Sequence, residues 1–67
     1  MSTLTQGDKE YYARRAQEEL ALMGEDMRSI QSRTNESLRV ILRQIAEKLD
    51  CLVDDLIAIL RSYGVLP

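Results

Sequence analysis

The side chains in this 67-residue chain that could carry chemistry are few, and they fall in two places. The first is a run of carboxylates, Asp50, Asp54 and Asp55, with Cys51 between them. Asp50 and Asp54 share a helix face at i,i+4. Acid–base catalysis by such a pair needs a pocket that drives the two pKa values apart, and a hard cation needs more oxygen ligands in a set geometry. The residues around them supply neither, so the three aspartates read as a solvated polar face. Their mutual repulsion could be offset by a cation such as Arg39 or Arg43 from a neighbouring helix. Cys51 is the one cysteine and histidine is absent, which excludes an internal disulfide, a zinc ligand set and a base to activate the thiol. It reads as a small buried hydrophobe.

The second place is Tyr11 and Tyr12, followed by Arg14 and Arg15. Aromatics interleaved with cations can stack the bases of single-stranded nucleic acid. Here Glu10, Glu18 and Glu19 hem them in, and packing of Tyr12 onto the end of a helical bundle accounts for it more simply. Tyr11, Arg14 and Arg15 are the candidate partner-binding residues. No catalytic residue, cofactor or metal is expected, and the chain does not read as an enzyme.

The element that dominates the chain is Glu36 to Tyr63. Leu38, Ile41, Ile45, Leu49, Leu52, Leu56, Leu60 and Tyr63 recur at steps of three and four, one side of a 3.6-residue helix. No Gly or Pro interrupts the run. Traced back through Met27, Ile30 and Thr34 the steps become an eleven-residue repeat, about 3.67 residues per turn, whose packed seam would be nearly straight. Towards the C-terminus Leu42, Ala46, Val53, Ile57, Ala58 and Ile59 widen the stripe beyond what a two-stranded coiled coil needs. The eight seam residues are the expected oligomerisation core. A monomer of this length buries only roughly 60% of its unfolded surface, and with no disulfide or metal available the expected help is self-association.

The remainder is read around that element. Residues 1–7 are expected to be a frayed tail, and 8–67 a single helical domain. Thr5 with Asp8 three residues on, or Asp8 itself, could cap the first helix; Gly7 argues for the later start. Glu10 to Ile30 reads as one helix with a thin stripe of Tyr12, Ala16, Leu20, Met23, Met27 and Ile30, and with Gly24 as a surface position inside it. Residues 31–37, QSRTNES, are all polar and rich in cap formers; Thr34 or Asn35 could start a second helix with Glu36 in its first turn. A turn here makes the chain a helical hairpin, about 8–31 and 35–63, that associates into a four-helix-type bundle. Without a turn it is a single helix of roughly 55 residues, about 80 Å long, in a coiled coil with the eleven-residue repeat. The polar composition places the hairpin ahead. Gly64 is expected to end the last helix in a left-handed conformation, with Val65 folded back on Leu60.

Leu42 to Leu60, LRQIAEKLDCLVDDLIAIL, resembles the C-terminal part of phage-repressor-type helix-turn-helix domains. There an L-x-x-I-A-x-x-L helix leads through a Gly and a Ser or Thr cap into a V-D-D-L helix. Leu42, Ile45, Ala46, Leu49, Val53, Asp54, Asp55 and Leu56 match. Asp50 stands in place of the turn glycine and Leu52 in place of the cap, and no DNA-contacting residue is carried over.

The net charge is −2 and the acidic and basic residues are interspersed, so no basic stripe marks a nucleic-acid surface. No apolar run is long enough to span a membrane. No secretory leader is visible, and a reduced, cytoplasmic setting is expected. The expectation is a small, all-α, homo-oligomeric interaction, adaptor or structural protein that acts by contacts with itself and with another protein. The alternative is a small nucleic-acid-binding regulator using Arg14, Arg15, Arg28, Arg33, Arg39 and Arg43 on a bundle face. Leu49→Asp or Leu56→Asp is expected to abolish helicity and association together, because each puts a charge into a shared core. Circular dichroism and solution mass check this; a fully helical mutant of native mass would refute the packing assignment.

Overall fold

Thr5 decides where the first helix begins. Its hydroxyl accepts the Asp8 N–H at 3.1 Å, and the Asp8 carboxylate accepts the Thr5 N–H at 3.2 Å. This reciprocal box satisfies two amides that a helix start otherwise leaves unpaired, and it outweighs the entropic cost of Gly7. The computed structural model describes residues 4–66. In it α1 (Gln6–Leu22) begins inside the stretch read as a frayed tail, whose residues 1–3 lie outside the described part.

Three further helices follow: α2 (Met27–Ser32), α3 (Asn35–Leu49) and α4 (Val53–Ser62). The protein is all-α, and its helices pack against one another as a bundle. The turn expected within 31–37 is present at Arg33 and Thr34, and Thr34 caps α3 by accepting the Ser37 N–H at 3.1 Å. Each arm of the expected hairpin is itself divided. The Cα radius of gyration is 11.0 Å and the longest dimension 31 Å. A folded domain of this length should have a radius of about 11 Å, so the single long helix is excluded.

Both unexpected breaks use the same backbone device as the C-terminus. At the end of α1, Gly24 has φ 78°, its N–H reaches the Ala21 carbonyl, and Glu25 N–H reaches Leu20 O at 2.9 Å. At the end of α3, Asp50 has φ 58°, ψ 48°, with Asp50 N–H to Glu47 O and Cys51 N–H to Ala46 O at 3.0 Å. At the end of α4, Gly64 has φ 76°, and Val65 N–H reaches Leu60 O at 2.9 Å. In each, a left-handed residue lets the chain double back and close the last orphan carbonyls. Gly24 is therefore a helix terminator, not a surface position within a longer helix. The run from Glu36 to Tyr63 is interrupted without Gly or Pro because aspartate, with its short polar side chain, tolerates the left-handed region better than most L-residues. Asp26 then starts α2 in a second reciprocal box, with Ser29.

The breaks fold the apolar stripe onto itself. Helices α1, α3 and α4 pack in all three pairings. The core holds Ala13, Ala16 and Leu20 from α1; Leu38, Ile41, Leu42, Ile45 and Ala46 from α3; and Leu56, Ile59 and Leu60 from α4. Ile30 of α2 joins them, and Val65 and Leu66 are tucked beneath, as the C-terminal motif predicted. Leu42, Ile45, Leu56 and Leu60 are almost wholly enclosed, each contributing about 1.5–3 kcal/mol from burial. Ala13 and Ala16 let α1 approach closely.

Carboxylates then tie the elements together. Buried Glu19 of α1 accepts Lys48 Nζ of α3 at 2.9 Å and Arg15 Nη2 at 3.3 Å. Glu25, in the α1–α2 connection, receives both arms of the Arg33 guanidinium, at 2.7 and 2.6 Å. Arg33 also donates to Ser37 of α3 at 2.8 Å. The Lys48 hydrogen bond holds Glu19 below the usual carboxylate range, and the Arg33 hydrogen bond does the same for Glu25, in both cases against the opposing effect of burial.

Two predictions follow from these contacts. Asp50→Gly is expected to stabilise the fold by about 1 kcal/mol by removing a left-handed L-residue, which raises the thermal midpoint by several degrees; an unchanged or lower midpoint would count against the strain. Both native glutamate pKa values lie below the unfolded value of about 4.3. Their stabilisation is therefore present above that pH and lost as pH falls through the depressed native values. Urea unfolding at pH 6 and pH 3 should show this loss, and Glu19→Gln with Glu25→Gln should flatten it; an equally steep acid loss in the double variant would contradict it.

Candidate functional site

The α3–α4 turn, where the backbone departs from its preferred chemistry, lies near Tyr12 of α1. Leu52 occupies the N-cap of α4, and no side chain there accepts an amide of the first turn. Ser, Thr, Asp or Asn at such a position is worth about 1 kcal/mol. Leu52 instead leaves the cap unmade and projects into solvent, 71% exposed. Next to it Cys51 is half-buried, and burial, with Asp55 and Asp50 nearby, raises its thiol pKa. Its side chain packs against the core, in keeping with a small hydrophobe.

Tyr12 connects this turn to α1. Its ring packs against the core edge, and burial followed by the nearby Cys51 raises its phenol pKa. Tyr11 meets Tyr12 edge to face with ring centroids 5.4 Å apart, in the range of a favourable aromatic pair. Tyr11 is itself 48% exposed. A shallow depression of about 360 Å³ opens beside Leu52, lined by Ala46, Glu47, Asp50 and Cys51. Tyr12 thus links the first half of α1 to Cys51 in the α3–α4 turn, with Tyr11 exposed on one side of it and Leu52 exposed next to Cys51.

The seam residues distribute unevenly. Leu38, Ile41, Ile45, Leu56 and Leu60 are buried within the single chain; Leu49 is half-buried; Leu52 and Tyr63 are exposed. The Tyr63 hydroxyl accepts a hydrogen bond from Gln6 Nε2 at 2.9 Å, joining the two ends of the fold. Of the candidate partner-binding residues, Tyr11 is exposed beside Tyr12. Arg15 is engaged by Glu18 and Glu19, at 2.8 and 3.3 Å, and Arg14 is exposed and in no ion pair among the described residues. Arg33 is held by Glu25, and Arg39 by Asp54 at 2.6 Å. Three of the six arginines named for a nucleic-acid surface are therefore neutralised inside the chain. Asp54 receives its counter-charge from Arg39 of the same chain, on the adjacent helix, and the three aspartates do not converge on a ligand site.

A continuous first helix would turn Met23 and Met27 inward. The helix ends at Leu22 and the left-handed Gly24 redirects the chain; Met23, at the cap, and Met27, beyond the turn, are both exposed, along with Leu22. The exposure of Leu52 was signalled only by the match to the V-D-D-L helix, which put Leu52 at a cap position. No helix among the described residues is long and apolar enough to cross a membrane. Among the described residues, no three His, Cys, Asp or Glu side chains gather as a metal site. No family model, curated protein or solved structure matches this chain.

Proposed function

We propose that this chain is a small helical interaction module that acts by protein–protein contact, self-association included, through the Tyr11–Tyr12–Cys51–Leu52 face. The observation that carries this reading is Leu52, a large aliphatic side chain exposed where a polar cap would be the stabilising choice. A residue that exposes apolar area and forgoes a cap costs stability twice, and such local violations are where contact residues are found. Tyr12, near the neighbouring Cys51, and the exposed Tyr11 stacked edge-on against it would add broad, rigid contact area with little conformational entropy to lose.

Self-association through this face leaves the single-chain core intact and uses the side chains that core does not cover. A two-fold contact would place the same patch of each copy against the other.

Leu52→Ser and Tyr11→Ala test the reading by sedimentation equilibrium with thermal unfolding. Wild type is expected to exceed the 7.7 kDa chain mass at micromolar concentration. Leu52→Ser should raise the midpoint of the dissociated chain, by supplying about 1 kcal/mol of capping, while shifting the mass to the monomer. Tyr11→Ala should weaken association without unfolding the chain. A wild type of monomer mass throughout, or a Leu52→Ser variant of undiminished mass, would overturn self-association through this face.

A further inference from the structure

The turn between α3 and α4 combines two locally unfavourable choices. Asp50 holds an L-residue at φ 58°, ψ 48°, where its Cβ crowds the following carbonyl. Leu52 occupies the N-cap of α4 and gives the first turn no side-chain acceptor. Gly24 makes the corresponding reversal after α1 without a Cβ, at φ 78°. Thr5, Asp26 and Thr34 each cap the helix they precede. No other connection among the described residues joins a left-handed L-residue to an empty cap.

Nothing in residues 36–63 requires this turn. The stretch holds no Gly or Pro, and Ile45, Leu49, Leu52 and Leu56 keep steps of four, three and four across it, one face of an unbroken helix. Straightening removes the left-handed dihedral. The two bonds that close the turn, Asp50 N–H to Glu47 O and Cys51 N–H to Ala46 O, are replaced one for one by helical bonds. The amides of Val53, Asp54 and Asp55 gain the carbonyls of Leu49, Asp50 and Cys51. The product is one helix of roughly 28 residues, about 42 Å long. Its cost is that α4 leaves its own core, where Leu56 and Leu60 are wholly enclosed and α4 packs on α1 and α3. The surface shaped for those side chains is the equivalent site in another copy whose α4 has left in the same way.

We propose that two copies of this chain pair by exchanging residues 53–66, each α4 filling the core of the other while α3 and α4 run on as one helix. Such an exchange repeats the contacts of the single chain between copies, and a short connection under strain favours it. Leu56, Ile59, Leu60, Val65 and Leu66 keep their surroundings. The Arg39–Asp54 and Gln6–Tyr63 contacts re-form between chains. Leu49, half-buried, and Leu52, 71% exposed in the single chain, then share one stripe of the continuous helix, near the axis where the two hinges meet and cover each other. This pairing does not rest on the Tyr11–Leu52 face, through which two closed cores would join.

Asp50→Gly and Asp50→Ala test the exchange, since both leave Tyr11 and Leu52 in place. Glycine favours the turn and alanine the helix, and each dimer contains two hinges. Sedimentation equilibrium after refolding at up to millimolar concentration should show Asp50→Gly dimerising at least about tenfold more weakly than wild type, and Asp50→Ala at least about tenfold more tightly. In an Asp50→Ala dimer assembled from labelled and unlabelled chains, isotope-filtered NMR should connect the Leu56 and Leu60 methyls of one copy with core methyls of α1 and α3 in the other. The proposal is overturned if Asp50→Ala stays monomeric, if Asp50→Gly associates as wild type does, or if those core contacts stay within one chain. A dimer indifferent to residue 50, with its core contacts intramolecular, removes the exchange and leaves association through the Tyr11–Leu52 face standing.

Discussion

A short chain with a long apolar stripe must either pair that stripe with another chain or fold it against itself. Folding requires reversals, and here every reversal from a helix end rich in core residues passes through one left-handed residue. Gly24, Asp50 and Gly64 each convert a helix terminus into a closed loop of two backbone hydrogen bonds. Asp50 is the one on which the arrangement turns. With a right-handed residue there, α3 and α4 would run on as one rod, and Leu56 and Leu60 could not reach the buried faces of α1 and α3. The hydrophobic core is the consequence of that single dihedral as much as of the leucines that fill it.

The ionic contacts act on top of this packing in a way that pairs of fully exposed charges do not. Glu19 and Glu25 are shielded side chains, 9% accessible, so each must be compensated if it is to remain ionised. Each receives a cation from beyond its own helical turn, Lys48 of α3 for Glu19 and Arg33, at the far end of α2, for Glu25. The first ties α1 to α3. The second fixes the angle at which the chain leaves α1, passes through the short α2 and enters α3. The six residues of α2 are too few to hold a helix by propensity alone; its capping box, Ile30 and the Glu25–Arg33 pair hold it in place.

Much of the fold was legible in the residue pattern. The helical period, the cap at Thr34, the left-handed Gly64 and the buried Val65 follow from spacing and from the chemistry of cap residues, which act locally. The division of each arm was not, for two reasons. Gly24 is tolerated inside helices as well as at their ends, and only the tertiary fit decides between the two. Asp50 lies in an unbroken three-four register, and an eleven-residue repeat continues in phase across a tight turn as it would along a rod. The likeness of Leu42–Leu60 to a helix–glycine–cap–helix pattern held the missing information: Asp50 and Leu52 take the backbone roles of the glycine and the cap they replace. Tyr11 stands out by residue type among its cations, whereas the period places Leu52 in the seam, because periodicity cannot distinguish a core position from a residue at a corner.

The vacant cap at Leu52 also bears on how α4 meets water. The first amides of any helix lack intrahelical acceptors, and with no side chain to serve them those at the start of α4 must be hydrated. Proton exchange with solvent at the head of α4 should therefore be fast, while its tail, closed by Gly64 and weighted by Leu56 and Leu60, is shut off. The helix is thus graded along its length, labile where Leu52 faces outward and slow where it joins the core, and a molecule touching Leu52 would meet the end of the helix that is easiest to reorganise.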